Sequence, residues 1–192
     1  MTIVAASLML AASCTARRGD AKPQGAADGA QAAKETKVLV AYFSCTGTTE
    51  RAAKAVAEAT GGRLYRIAPK EEYTAADLDW NDRASRSTAE MKDPASRPAL
   101  ADTAAGVDGC DIVFVGYPIW WDQCPRPVNT FLESYDFTGK TVVPFATSGG
   151  SSIANSVAEL RKLYGQSITI TDGKLLNGDT EEAKRWAAGQ TK

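Results

Sequence analysis

The chain has no histidine at any of its 192 positions. That absence removes Ser-His-Asp and Cys-His activation of a nucleophile, and with them every His-ligated metal site. Cysteine is scarce too: Cys14, Cys45, Cys110 and Cys124 are the whole complement. No pair of them has CxxC or zinc-ligand spacing, and they are too few to staple a scaffold. An excess of one charge is also missing, with 22 basic residues against 23 acidic ones. Neither nucleic acid nor an anionic membrane surface is indicated as an electrostatic partner. The apolar run from Ile3 to Ala12 is only about ten residues, too short to cross a bilayer as a helix. Chemistry here therefore falls to cysteine, carboxylate, lysine or tyrosine side chains, or to a borrowed cofactor.

What is present suits one soluble domain behind a leader. The length fits one ordinary domain, and 44% hydrophobic content is enough for a core. Residues 1–14 have the length of a secretory h-region followed by Ala11, Ala12, Ser13 and Cys14. Small residues ending at a cysteine resemble a bacterial lipobox, although no Lys or Arg precedes the run and Ala11 stands where Leu is usual. Residues 15–36 are Ala, Gly and polar residues without helical or strand period, and read as a flexible tether. The expectation is an exported domain, 37–192, held at the cell envelope through lipidated Cys14. A cytoplasmic chain with an incidental cysteine is the alternative.

Three near-continuous apolar runs, Lys37 to Phe43, Asp111 to Tyr117 and Thr141 to Thr147, suit strands buried on both faces of a parallel sheet. Pro144 conflicts with an interior strand and implies a local bulge. Arg63 to Ile67 and Ser167 to Thr171 alternate instead, as half-exposed edge strands do. With the second and fifth strands at the edges, the spatial order 2-1-3-4-5 follows. Helical stripes fall between the strands: Ala52, Ala55, Val56 and Ala59 before Gly61-Gly62; Val128, Phe131 and Leu132 after Pro127; Ile153, Val157, Leu160 and Tyr164 before Gly165; and Glu181 to Ala188. Pro69 to Ala105 reads as a long loop with short helical pieces. The fold class is α/β, a three-layer sandwich around a five-stranded parallel sheet.

In such sheets ligands bind beyond the carboxyl ends of the strands where the strand order reverses, here between strands one and three. Three unusual loops converge there. Ser44, Cys45, Thr46, Gly47, Thr48 and Thr49 lead straight into a helix, offering hydroxyls and free N–H groups to a phosphate without a lysine. One helix cap would need only one of these hydroxyls. Pro118, Ile119, Trp120 and Trp121 follow the third strand, and adjacent tryptophans in a loop suit a flat aromatic ligand. Ser148, Gly149, Gly150 and Ser151 follow the fourth, where glycine lets backbone approach a ligand closely. Covering the core with the tryptophans, and a plain Gly-Gly turn, are the simpler readings of the last two loops.

Together these loops resemble the flavodoxin family. The SCTGTT segment is similar to its phosphate loop, Ser/Thr-x-Thr-Gly-x-Thr, matched by Ser44, Thr46, Gly47 and Thr49, with Thr48 where asparagine is common. PIWWDQCPRPVNTFLE and VVPFATSGGSSIANSV resemble the second and third flavin loops of short bacterial flavodoxin-like proteins, and DLDWNDRASRSTAEM the long loop of that subgroup. The resemblance covers Lys37 to about Gly178 and implies non-covalent FMN. The isoalloxazine would lie against Trp120 or Trp121, with Ser148 to Ser151 near its pyrimidine end. It implies electron transfer to a redox partner protein or a small acceptor, with an FMN-dependent NAD(P)H:quinone-type oxidoreductase as the alternative. Setting aside four basic and three acidic residues before Lys37 leaves 18 basic and 20 acidic, a net of −2, which keeps the reductase reading open.

Two competing readings remain at this stage. Cys45 to Arg51 is also C-x5-R, the cysteine-phosphatase signature, but Ala52 replaces the expected Ser or Thr and Glu50 would repel a phosphate dianion. A helix N-terminus beside Cys45 would lower the thiol's pKa, whereas the resemblance gives that position mainly a backbone role. The other reading is a cofactor-free domain that only binds a partner.

Overall fold

The computed structural model describes residues 36–191. The leader, Cys14 and the tether lie outside the described residues. The sheet is built from β1 (Val38–Tyr42), β2 (Arg63–Arg66), β3 (Ile112–Pro118), β4 (Thr141–Thr147), β5 (Thr169–Ile170) and β6 (Lys174–Leu175). All pairings are parallel, in the order β2-β1-β3-β4-β5, with β6 also on β4. The expected 2-1-3-4-5 order is therefore observed. β1, β3 and β4 are buried along almost their whole length, as continuous apolar runs in a sheet covered on both faces should be.

Alternation along the strands divides the core into two layers. Leu39, Ala41, Val113, Val115 and Tyr117 face one side with Val128, Phe131 and Leu132 of α3 (Arg126–Glu133) and Val157 and Leu160 of α4 (Ile153–Tyr164). Val40, Tyr42, Phe114, Val143 and Phe145 face the other, against α1 (Thr48–Thr60) and α5 (Thr180–Gly189). Trp186 of α5 meets Phe114 edge-on at 5.7 Å. A Cβ at Gly116 would overlap the Phe145 ring, so glycine is the residue that lets β3 and β4 lie flat there. Tyr65 of edge strand β2 and Ile67 just after it pack inward, but Leu64 is 36% exposed on the opposite face. The expectation that its apolar side chains share one face is corrected at that residue.

The fifth strand also differs from expectation. β4 pairs with Thr169–Ile170 at Thr141–Val142 and with Lys174–Leu175 at Phe145–Ala146, so the edge strand carries one extra residue between the two pairings. The cause is Pro144. The carbonyls of Val142 and Ala146 accept from Thr171 and Leu176 at 3.0 and 2.7 Å. By alternation residue 144 points to the same edge, where proline has no N–H to offer. Gly173, at φ +71°, fills the interruption; a Cβ there would come within 2.6 Å of the Pro144 carbonyl oxygen. The bulge implied by Pro144 exists, but on its partner.

The long segment between β2 and β3 is a folded lobe. An antiparallel bridge joins Pro69 to Leu100, with Lys70 N–H donating to Ala99 and Ala101 N–H to Ala68, each at 2.8 Å. Within it α2 (Arg86–Lys92) is capped by the Ser85 hydroxyl. Arg126, only 3% exposed, donates to the Glu90 and Met91 carbonyls at 3.1 and 3.0 Å, closing the carboxyl end of α2 against α3. Arg97 forks onto Glu133 at 2.7 and 2.8 Å and ties the lobe's far end to the same helix.

Candidate functional site

The loops after β1, β3 and β4 meet at the carboxyl edge of the sheet, and specific bonds join them. Phe43 N–H donates to the Gly116 carbonyl at 2.8 Å, and Ile119 N–H to the Thr147 carbonyl at 2.8 Å. The Thr49 and Thr147 hydroxyls are 2.8 Å apart, linking the start of α1 to the end of β4. The convergence expected from strand order is thus observed.

In the first loop Gly47 takes the N-cap position of α1 at φ +83°, a conformation glycine adopts freely. Its N–H donates to the Ser44 hydroxyl at 3.1 Å, which fixes the turn. Glycine has no capping side chain. Among the described residues no acceptor meets the backbone N–H groups of Thr48, Thr49 or Glu50. These donors lie at the positive end of a 13-residue helix. Thr46 is exposed and Thr48 half-buried, and neither hydroxyl has a partner among the described residues. Thr49 is buried and its hydroxyl is paired with that of Thr147, Ser44 accepts from Gly47 and keeps its own O–H to donate, and the hydroxyls of Thr46 and Thr48 are unengaged.

The second loop resolves how two adjacent tryptophans are placed. Trp120 and Gln123 exchange N–H···O bonds at 3.0 Å in both directions, around a two-residue turn with Trp121 at φ 46° and Asp122 at φ 62°. Both central residues are left-handed, the geometry of a type I′ turn, which Asn-Gly usually occupies. A bulky residue there carries backbone strain, the kind that gathers at binding sites. The turn sends the two rings apart. Trp120 packs edge-on against Phe43 at 5.5 Å and Tyr73 at 5.4 Å, whereas Trp121 is 47% exposed. Tyr73 is itself held by Glu90, which accepts from its hydroxyl, and by Arg86, whose guanidinium sits 4.1 Å from the ring centroid. Burial first, then Glu90, pushes the Tyr73 pKa up, so it stays a neutral donor.

The third loop is closed on itself. The Ser148 hydroxyl accepts from Gly150 and Ser151 N–H at 3.1 and 2.7 Å, and Asn177 accepts from Ser148 N–H at 2.8 Å. Ser152 caps α4 through Ala154 N–H. Of the amides of Ser148 to Ser151 only that of Gly149 lacks a partner among the described residues. Of the two glycines that let the backbone approach a ligand here, Gly149 alone keeps a free N–H to donate.

The segment from Pro69 to Ala105, which from sequence could build a second pocket without showing one, does line a cleft. Leu78, Trp80, Ser87, Ile119, Trp120 and Trp121 line a cleft of about 300 Å3 at the same edge. The signal available was the tryptophan in DLDWND, which stands 74% exposed in the structure.

The phosphatase chemistry is not supported. Burial first, then Glu72, pushes the Cys45 thiol up to about 12, the opposite of the lowering expected from the helix end. Arg51 lies exposed within α1, and Glu50 is paired with Lys54 at 2.6 Å. Cys124 is fully enclosed beside Asn129, and no metal-binding cluster exists among the described residues.

Comparison with known proteins agrees with this geometry. Two structures of candidate flavoproteins, from Bacteroides eggerthii and Bacteroides uniformis, are 54% and 55% identical to the chain. They superpose with TM-scores of 0.75 and 0.76. The matches cover 79% and 80% of this chain and 95% and 98% of theirs. A flavoprotein from Lactobacillus acidophilus solved in complex with FMN shares the fold at 19% identity, with a TM-score of 0.62 over 79% of this chain and 99% of that one. The comparison with curated proteins gives no match. The flavodoxin family model matches residues 37–189, so the chain belongs to the flavodoxin family.

Proposed function

We propose that the three loops hold FMN non-covalently and that the domain passes electrons between this cofactor and a redox partner. The observation that carries the proposal is the uncapped start of α1, with three unpaired N–H groups and two free hydroxyls converging where a phosphate would be met. Side chains of Ser85, Ser152 and Asp179 cap α2, α4 and α5, whereas α1, like α3, starts without a capping side chain. The residues fit the cofactor elsewhere too. Trp121 offers an exposed indole face for a flavin ring, and Trp120, held by Phe43 and Tyr73, backs it. Pro118 and Ile119 lead into that turn from β3. Ser148, Gly149, Gly150 and Ser151 form the remaining wall, with the Gly149 N–H as its donor.

In this reading Ser44 shapes the phosphate loop through Gly47. Thr46 and Thr48 donate hydroxyls, Thr49 anchors the loop to β4, and Cys45 contributes backbone beside a neutral thiol. FMN supplies one- and two-electron redox chemistry when bound, and the chain sets its stacking and hydrogen bonding. Similar numbers of acidic and basic residues in 37–192 argue against strong charge steering, so partner binding should depend only weakly on salt. The test is parallel titration with FMN and riboflavin. A phosphate-loop site binds FMN at least about 100-fold more tightly, since riboflavin leaves the amides unmet. Equal affinities would remove the phosphate role. Rapid reduction by NAD(P)H alone would shift the reading from carrier to enzyme.

For the segment before residue 36 we propose export and anchorage through lipidated Cys14, on the sequence pattern alone. Labelling by a lipid precursor in a bacterial host, lost in Cys14→Ser, would support it; an unlabelled soluble product would contradict it.

A further inference from the structure

Among the described residues, Trp121 and Asp122 alone are non-glycine at positive φ. Backbone of that kind persists only where its surroundings hold it. The turn they form has two ends. At one, Trp120 is held by the rings of Phe43 and Tyr73. At the other, Gln123 is half-buried and its side-chain oxygen accepts from Arg126 Nη1 at 3.2 Å.

Arg126 is out of place by the ordinary rules of charge. It opens α3, where the helix dipole disfavours a cation, and it is 3% exposed. A buried charge needs compensation, yet no carboxylate forms an ion pair with it among the described residues. Oxygen dipoles meet it on three sides instead. Nε and Nη2 donate to the Glu90 and Met91 carbonyls in the last turn of α2 at 3.1 and 3.0 Å, where a cation is favoured, and Nη1 donates to Gln123. A planar fork spans these three directions at once; a lysine ammonium, a point charge, does not.

We infer that Arg126 is a positioning residue: through Gln123 it locks the Trp120–Gln123 turn to α2, so that the Trp121 indole is presented before a flavin arrives. The lock belongs to the chain alone; its use for flavin rests on the FMN reading. When only a fraction of molecules hold the turn, apparent affinity falls by that fraction. The loss then appears in association, because dissociation starts from a site already assembled.

The test compares three variants of the full chain. Gln123→Ala removes the turn's end of the link and leaves Arg126 on α2, Arg126→Lys keeps the charge without the fork, and Gln123→Glu keeps an acceptor. In flavin-free protein the N–H groups of Trp120 and Gln123, which close the turn, should exchange with solvent about tenfold faster in the first two variants. Amides of β1 and β3 should be unchanged, and Gln123→Glu should exchange as the native chain does. Stopped-flow mixing with FMN should then show association about tenfold slower in Gln123→Ala and Arg126→Lys, with dissociation within about twofold of native. Riboflavin should be slowed by the same factor, because the turn meets the ring and not the phosphate. Unchanged exchange at the turn, native behaviour of Arg126→Lys, or weakening that lies wholly in faster dissociation would overturn the inference. Faster exchange spread evenly over β1 and β3 would overturn it too, by assigning Arg126 to fold stability alone. A chain that shows the local exchange change yet takes up neither flavin would remove the FMN reading and leave the lock.

Discussion

Two loops of similar composition, Ser44 to Thr49 after β1 and Ser148 to Ser152 after β4, treat their backbone donors in opposite ways. Both mix hydroxyl residues with glycine and both run into a helix. In the first, the single bond from Gly47 to Ser44 shapes a turn and leaves the first N–H groups of α1 open. In the second, the Ser148 hydroxyl takes the Gly150 and Ser151 N–H groups, Ser152 takes that of Ala154, and Asn177 takes that of Ser148. Composition shows where donors can be; only the direction of each hydroxyl shows whether they are free. An anion should therefore depend on the first loop far more than on the second.

The comparison breaks most visibly under an added charge. Thr46→Asp sets a carboxylate beside the expected phosphate; two unit charges about 4 Å apart repel by about 4 kcal/mol at an effective dielectric of 20. FMN affinity should fall at least about 100-fold while riboflavin changes less than about threefold, whereas Gly149→Asp should cost FMN under about tenfold. Equal losses at the two loops would erase the distinction. Next in size, Trp121→Ala should weaken FMN and riboflavin alike by about tenfold, because stacking ignores the phosphate.

Smaller effects concern the loops without ligand. Ser148→Ala removes the acceptor of two N–H groups and should lower apo-protein stability by about 1–2 kcal/mol in urea unfolding, against about 0.5–1.5 kcal/mol for Ser44→Ala, which frees one. The reverse order would mean that the first loop is the one closed on itself. The mildest effect is on pH dependence. Cys45 has its pKa raised from 9.0 to about 12, so its burial favours the folded state below pH 9 and that contribution fades as pH rises through about 12. Cys45→Ser should flatten the alkaline limb of the stability profile; an unchanged limb would assign it to other groups.

The interior strands were legible because a sheet covered on both faces demands continuous apolar runs, and Val38–Tyr42 and Thr141–Thr147 have them. The break in the edge strand was not: Asp172-Gly173 reads as a strand end, while the interruption is imposed by Pro144 on the neighbouring strand. Trp121-Asp122 carries no hairpin signature, since its left-handed turn is held by tertiary contacts to Trp120 rather than by permissive residues. The lobe was opaque for a related reason. Arg126, Glu90 and Tyr73 are polar in sequence and become structural only through partners 17 to 36 residues away. Trp80 and Ser87 therefore gave no sign of sharing a cleft.

The central claim is tested most directly by the visible absorbance of the purified protein and its titration with FMN. The account predicts flavin bands on the protein as isolated, or uptake of one FMN per chain with quenched flavin fluorescence. A colourless protein that takes up no FMN at micromolar concentrations would contradict it.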